Sequence, residues 1–292
     1  MDLTAAPVVT APIRSPWRPR LRRWVRRAGF YLSVAVIVSP AIFVFLWMLS
    51  LALKNEIDNT AYPPVFIPNP PTFANFISVF QQNNIGRYLW NSIVVSGGAT
   101  LIALLIGVPA GYGIARTGAH RFTVLILIAR MTPALSYLIP LFAVFQFLRL
   151  NNTLTALVIT HLVITVPIVV YVMAGHFETL PRELEEAAQI DGAGAWTAFR
   201  YVALPLARPG IVVGVILSFI FSWNNFVFGA VLSGRETRTL PVAVYNVLTF
   251  EQLARGPLAA AAIVVTLPVL LLTIFLQKEI VTGMTAGSVK GG

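Results

Sequence analysis

Cysteine is absent from the 292 residues, which excludes disulfides and thiolate metal sites and leaves the redox compartment unmarked. Charge is scarce, at 11% against 57% hydrophobic residues, and a soluble domain of that composition would expose large apolar surfaces. No Asp or Glu falls within the six long apolar runs delimited below. An ion-coupled carrier usually keeps a carboxylate in the membrane, so this absence counts against proton- or sodium-driven transport, although backbone groups can also bind sodium. The dipeptide Gly-Lys does not occur, and without a glycine-rich phosphate loop the chain is no ATPase by itself. The three histidines, His120, His161 and His176, are scattered, and neither HExxH nor GxSxG is present. Only His161 sits well inside an apolar run, where a hydrogen-bonded structural histidine is the expected role.

What is there is apolar sequence in long runs, the mark of a polytopic membrane protein. The expected spans are Ala28–Leu53, Tyr88–Ala115, Phe122–Leu148, Leu154–His176, Ile211–Leu232 and Leu258–Leu276. The net charge of +10 is concentrated at the start, with seven of 21 Lys+Arg between Arg14 and Arg27. Placed before a first span, that cluster anchors the N-terminus in the cytoplasm rather than binding nucleic acid. The run after it is too long for a signal-peptide core, and no small-x-small cleavage site follows. Residues before Arg14 read as a disordered tail. Counted by side, 14 basic residues fall inside and six outside, with Arg130 within a span, which supports both termini in the cytoplasm.

The expected organisation is a basic tail over 1–27, a six-helix all-α membrane domain over 28–276 and a tail over 277–292. In the first outside loop, Pro63, Pro64, Pro68, Pro70 and Pro71 make the chain extended. Thr72 then reads as a cap for a short amphipathic helix with Phe73, Phe76, Ile77 and Phe80 on one side. Span two is rich in small residues, among them Gly107 and Gly111, and is expected at the centre of the bundle. Arg130 either snorkels to the interface or lines a pathway. Trp223, Asn224 and Asn225 form a polar cluster in span five that suits an interhelical network or contact with a hydroxylated solute.

One polar island remains, on the expected cytoplasmic side: a connection over 177–210 whose core reads LPRELEEAAQIDGAGAWTAFRYVALPLARPG from Leu180 to Gly210. Pro181 suits a first helical turn, and Glu183, Glu185 and Glu186 favour that N-terminus through the helix dipole. Ala187 and Ala188 permit close approach by another backbone. Asp191-Gly192 breaks the helix, and Trp196, Phe199 and Val202 begin a second one that ends at Leu204-Pro205. Four carboxylates on the positive side of a membrane are unusual; the plain reading is a solvated loop, the sharper one a docking lever for a basic partner.

Glu186-Ala187-Ala188, three residues, Gly192, nine residues, then Val202-x-Leu204-Pro205 resembles the EAA loop of ABC-importer permeases, with Val202 where the family has Ile. Glu185–Gly192, Leu204–Gly210, Trp223-Asn224 and the tail Gly283–Gly291 are similar to the maltose-type, carbohydrate-importing branch, in which position 225 is commonly Glu. The resemblance implies a type I ABC-importer permease fold in a bacterial plasma membrane. It implies one half of a heterodimer with a homologous permease, two cytoplasmic ATPase subunits that bind ATP and Mg, and an extracytoplasmic sugar-binding protein. No cofactor or metal is expected in this chain, and its contacts besides proteins are with lipid, not nucleic acid. Glu185, Glu186, Ala187, Ala188, Asp191, Gly192, Leu204 and Pro205 are the implied ATPase-coupling residues. Thr285, Gly287 and Lys290 are the implied tail contacts with the ATPase, and Arg130, Trp223, Asn224 and Asn225 the candidate pathway. The cargo implied is a di- or oligosaccharide or related polyol, moved by alternating access; the rival is a stand-alone carrier or channel for small polar solutes.

Overall fold

The computed structural model describes residues 18–82, 84–250 and 254–288, with side chains over 23–81, 84–245 and 254–278. Among the described residues every regular element is helical. The chain divides into two units, Met1–Met48 and Leu49–Gly292.

The first unit holds most of helix α1, Arg18–Ala52, which starts ten residues before the expected span and takes in the described part of the basic cluster. Two of its serines turn onto their own helix: Ser33 Oγ donates to Gly29 O at 2.8 Å and Ser39 Oγ to Val36 O at 3.0 Å. Such internal pairing is what a lipid-facing helix requires, since hydrocarbon offers no partner. The expected disordered tail before Arg14 lies outside the described residues.

In the second unit two short helices, α2 (Glu56–Thr60) and α3 (Ala74–Gln82), precede α4, Ile85–Thr117. Thr72 accepts a hydrogen bond from Ala74 N at 3.1 Å, as the expected cap. Phe76 packs toward the core, while Phe73, Ile77 and Phe80 stay exposed. The centre is α4 against α7, Leu154–Thr179, with α11, Arg208–Trp223, packed on both. Buried residues on α4 recur every four positions: Asn91, Val95, Ala99, Ala103, Gly107, Gly111 and Ala115. At Gly107 an added Cβ would lie 2.7 Å from a Val169 methyl, and at Gly111 2.7 Å from Met173 Cβ. The two helix backbones therefore touch where the sequence is smallest, as membrane packing favours.

Two expected spans are broken. The third is a pair, α5 (His120–Met131) and α6 (Ala134–Phe147), bent by 85°. Pro133 is the cause: it has no N–H to give, and it drives Thr132 to the extended ψ of 124°. The expected fifth span, Ile211–Leu232, is α11 followed by α12, Val227–Leu232, parted at Asn224–Phe226. At 16 residues α11 is shorter than the ~20 that a straight crossing needs, and at its start it meets the preceding helical segment at 73°. Counting each bent pair as one span gives six; four helices suffice alone. Helix α13, Leu240–Phe250, and α14, Arg255–Ser288, complete the chain.

The loops expected outside are tied by side chains to helix ends. Glu56 accepts from Arg255 N at 3.0 Å and Gly256 N at 3.2 Å, capping the orphan amides of α14. Asn91 donates to Glu236 O and Arg238 O, both at 2.9 Å, and Arg87 pairs with Glu236. Lys54 is buried and donates to Val65 O at 2.6 Å; burial pushes its ammonium below the usual lysine range, with Asp58 pulling it back up.

Candidate functional site

The island folds as a helix–turn–helix. Helix α8, Glu183–Ile190, carries Glu183, Glu185 and Glu186 in its first turn. It stops where expected: Asp191 is the cap, and Gly192 takes φ +92°, a backbone angle that a Cβ resists. Ala193 N then reaches back to Ala188 O at 2.9 Å, closing the helix end. The second arm runs through α9 (Ala195–Ala198), a π-helical turn (Phe199–Ala203) and α10 (Leu204–Leu206) into α11. The expected second helix is therefore present, with Leu204-Pro205 at its close.

Its two faces differ. Phe199, Ala203 and Ala207 pack with Phe177, Met173 and Ala115, and the Tyr112 ring lies 4.7 Å from that of Phe199 and 5.3 Å from that of Phe177. On the other side Glu186, Ala187, Asp191 and Gly192 are exposed, together with large apolar groups: Ile190 at 87%, Trp196 at 66% and Tyr201 at 68%. Exposed large apolar side chains beside exposed carboxylates make a surface of the kind that marks interaction sites.

Glu185 departs from the expectation. It is 5% exposed and points into the bundle, where Arg116 Nε and Nη2 donate to its Oε1 at 2.9 and 2.5 Å. Tyr112 OH donates to Oε2 at 2.6 Å, and Arg116 Nη1 to Phe177 O at 2.8 Å. Arg182, just before α8, donates to Ala115 O at 2.8 Å. So Glu185 is no surface contact: it binds the island to the end of α4. Sequence reading missed Tyr112, Arg116 and Arg182; the available signal was the basic residue ending span two, counted there only toward topology.

The structure does not gather the expected pathway residues into one polar site. Trp223 is 1% exposed, stacks on Phe219 and donates Nε1–H to Val265 O at 3.0 Å, so it holds α11 to α14. Asn225 Oδ1 accepts from Phe228 N at 3.0 Å and starts α12, while Asn224 Nδ2 donates to Ile220 O at 3.0 Å and is exposed. These amides end one helix and begin the next by local bonds, and of the cluster Trp223 makes the bond to another helix. Arg130 is exposed near the α5–α6 bend, with its guanidinium 5.0 Å from the centre of the Phe221 ring. His161 is buried and shares a 2.7 Å hydrogen bond with Ser222, the structural role expected. Thr285 and Gly287 fall in the last turns of α14, where side chains are not described, and Lys290 lies outside the described residues.

Residues 103–285 match the family described as binding-protein-dependent transport system inner membrane component. The trehalose transport system permease protein SugB of Mycobacterium tuberculosis (strain CDC 1551 / Oshkosh) is 34% identical over 91% of this chain and 99% of its own length. The sulfoquinovosyl glycerol transport system permease protein SmoH of Agrobacterium fabrum (strain C58 / ATCC 33970) is 33% identical over 89% and 93%. Among solved structures, a bacterial ABC transporter involved in the import of the acidic polysaccharide alginate superposes with a TM-score of 0.69. That match covers 92% of this chain and 99% of the other at 20% identity, a likeness of fold.

Proposed function

The chain belongs to the family of binding-protein-dependent transport system inner membrane components, and from that premise we propose how it works. It is a permease subunit of a sugar importer, a transport component without catalysis of its own. It is one half of a heterodimer with a homologous permease, both termini in the cytoplasm, joined by two ATPase subunits and served by an extracytoplasmic binding protein. The cargo is a di- or oligosaccharide or related polyol.

The observation that carries this reading is the island's outer face. Glu186, exposed on the first turn of α8, meets basic groups on an ATPase subunit, and Ala187 and Ala188 let the helix seat closely. Gly192 sets the turn that presents both arms. Closure of the ATPase pair on ATP pushes the island, and spans three to five (α5–α6, α7 and α11–α12) rock between outward and inward access. The stand-alone carrier is disfavoured because it gives this acidic and apolar face nothing to bind.

The test is uptake in liposomes holding this chain, its partner permease, the ATPase subunits and the binding protein. Gly192→Asp and Glu186→Lys are expected to abolish uptake and sugar-stimulated ATP hydrolysis while membrane insertion stays intact. Normal uptake in both variants would sink the docking claim. Uptake by this chain alone, without ATP, would establish the carrier instead.

A further inference from the structure

Two glutamates stand side by side at the start of α8, and they point to opposite places. Successive residues on a helix differ by about 100° in direction, so Glu186 faces solvent while Glu185 enters the bundle. There Glu185 meets Arg116 and Tyr112, both from the last two turns of α4, 69 and 73 residues back in the chain. Arg182 reaches the same helix end in the reverse sense, onto Ala115 O. The island thus holds α4 by one carboxylate and one guanidinium running in opposite directions.

Covalently, the island hangs between α7 and α11 and has no bond to α4. An exposed ion pair would add little to that suspension, because water and salt screen it. The side chains of this pair are 14% exposed at Arg116 and 7% at Glu185, and the guanidinium is completed by Phe177 O at the end of α7. One arginine therefore joins three elements: α4 that carries it, α7 through a carbonyl and α8 through a carboxylate. Two charge-assisted bonds from one guanidinium onto Glu185 Oε1, with Tyr112 on Oε2, also set direction, which a greasy contact alone does not.

We infer that Arg116 and Glu185 form a lock that makes α8 move with α4, and that Glu185 is a positioning residue for coupling rather than a contact with the ATPase. The inference rests on the reading of the island as the coupling lever. Under that reading the lock decides where the push goes. With it, displacement of α8 reaches α4 directly, and the close packing of Gly107 and Gly111 on Val169 and Met173 carries it to α7. Without it, α8 turns about its two chain connections and the push is lost in the loop.

The experiment uses the assembled transporter in liposomes, with Glu185→Gln, Arg116→Lys, Arg116→Gln and the double variant Glu185→Gln/Arg116→Gln. Glutamine keeps the shape of Glu185 and can still accept from Tyr112, and lysine keeps the charge of Arg116 without its fork. Each single variant is expected to retain its ATPase subunits and basal hydrolysis but to lose sugar-dependent stimulation by about five-fold or more. The double variant, which buries no unpaired charge but has no lock, is expected to lose stimulation as the single variants do; recovery would assign their loss to the buried charge and overturn the lock. Stimulation within about two-fold of wild type in Glu185→Gln and Arg116→Lys overturns the lock. So does a loss that only tracks the fraction of complex assembled.

If the wild-type complex shows no sugar-dependent stimulation, the importer reading has failed, and the lock is decided separately. The chain has no cysteine, so nitroxides at Thr117→Cys and Gln189→Cys report one distance without background labelling. A narrow distribution that broadens in Glu185→Gln is expected; equal widths overturn the lock.

Discussion

Glu185 and Glu186 are chemically identical, and position alone separates them: one is spent inside the protein and the other is presented outside. The sequence marked both as acids on a helix start, but a helix of eight residues between a proline and a glycine does not set its own phase. That phase is set by the aromatic cluster of Tyr112, Phe177 and Phe199 beneath it. Trp223 teaches the same lesson in reverse. A tryptophan beside two asparagines in an apolar run invites a sugar, yet its N–H is consumed by Val265 O. His161 allows a quantitative test. Its bond to Ser222 is buried, but a serine in a helix can turn to its own backbone, which keeps such pairs near 1 kcal/mol in membranes. His161→Leu is therefore expected to lower stability in detergent by only about 1 kcal/mol, seen as a small shift in the unfolding midpoint with insertion unchanged. A loss of all folded protein would show that His161 holds more than Ser222.

The helices show where local pattern suffices and where it does not. Span two was legible as a central helix because it is rich in small residues, and the structure puts Gly107 and Gly111 against α7. Gly113, on the same helix, has nothing within 4 Å of an added Cβ. Gly107→Ala should cost roughly 1–3 kcal/mol through overpacking against Val169 and the Val170 amide. Gly113→Ala, with room for its methyl, should be neutral or gain up to about 1 kcal/mol of helix propensity. Thermal unfolding of the isolated chain in detergent reads both, and equal shifts would contradict the packing described. The breaks were harder. Pro40, Pro109, Pro140, Pro167 and Pro268 lie within continuous helices, and Pro133 does not. A proline weakens a helix everywhere; whether it parts the chain depends on what neighbouring elements offer the freed carbonyls.

Taken whole, the molecule is a set of membrane helices with a polar island proposed as the coupling lever, and its sidedness can be tested directly. In the cysteine-free background, Glu236→Cys is expected to react with a membrane-impermeant maleimide in intact cells, and Gly194→Cys only after permeabilisation. The reverse pattern would invert the proposed topology and detach the island from the ATPase side. Sequence alone determined the membrane class, the number of apolar runs, the lever and its glycine stop, because these follow from composition, period and backbone angle, which are local. Tertiary structure decided which acid is buried, which spans break and what the polar cluster of span five does. The burial of Glu185 and the role of Trp223 depend on partners 69 and 42 residues away, Arg116 and Val265, and no local pattern records which distant group will be there to share a hydrogen bond.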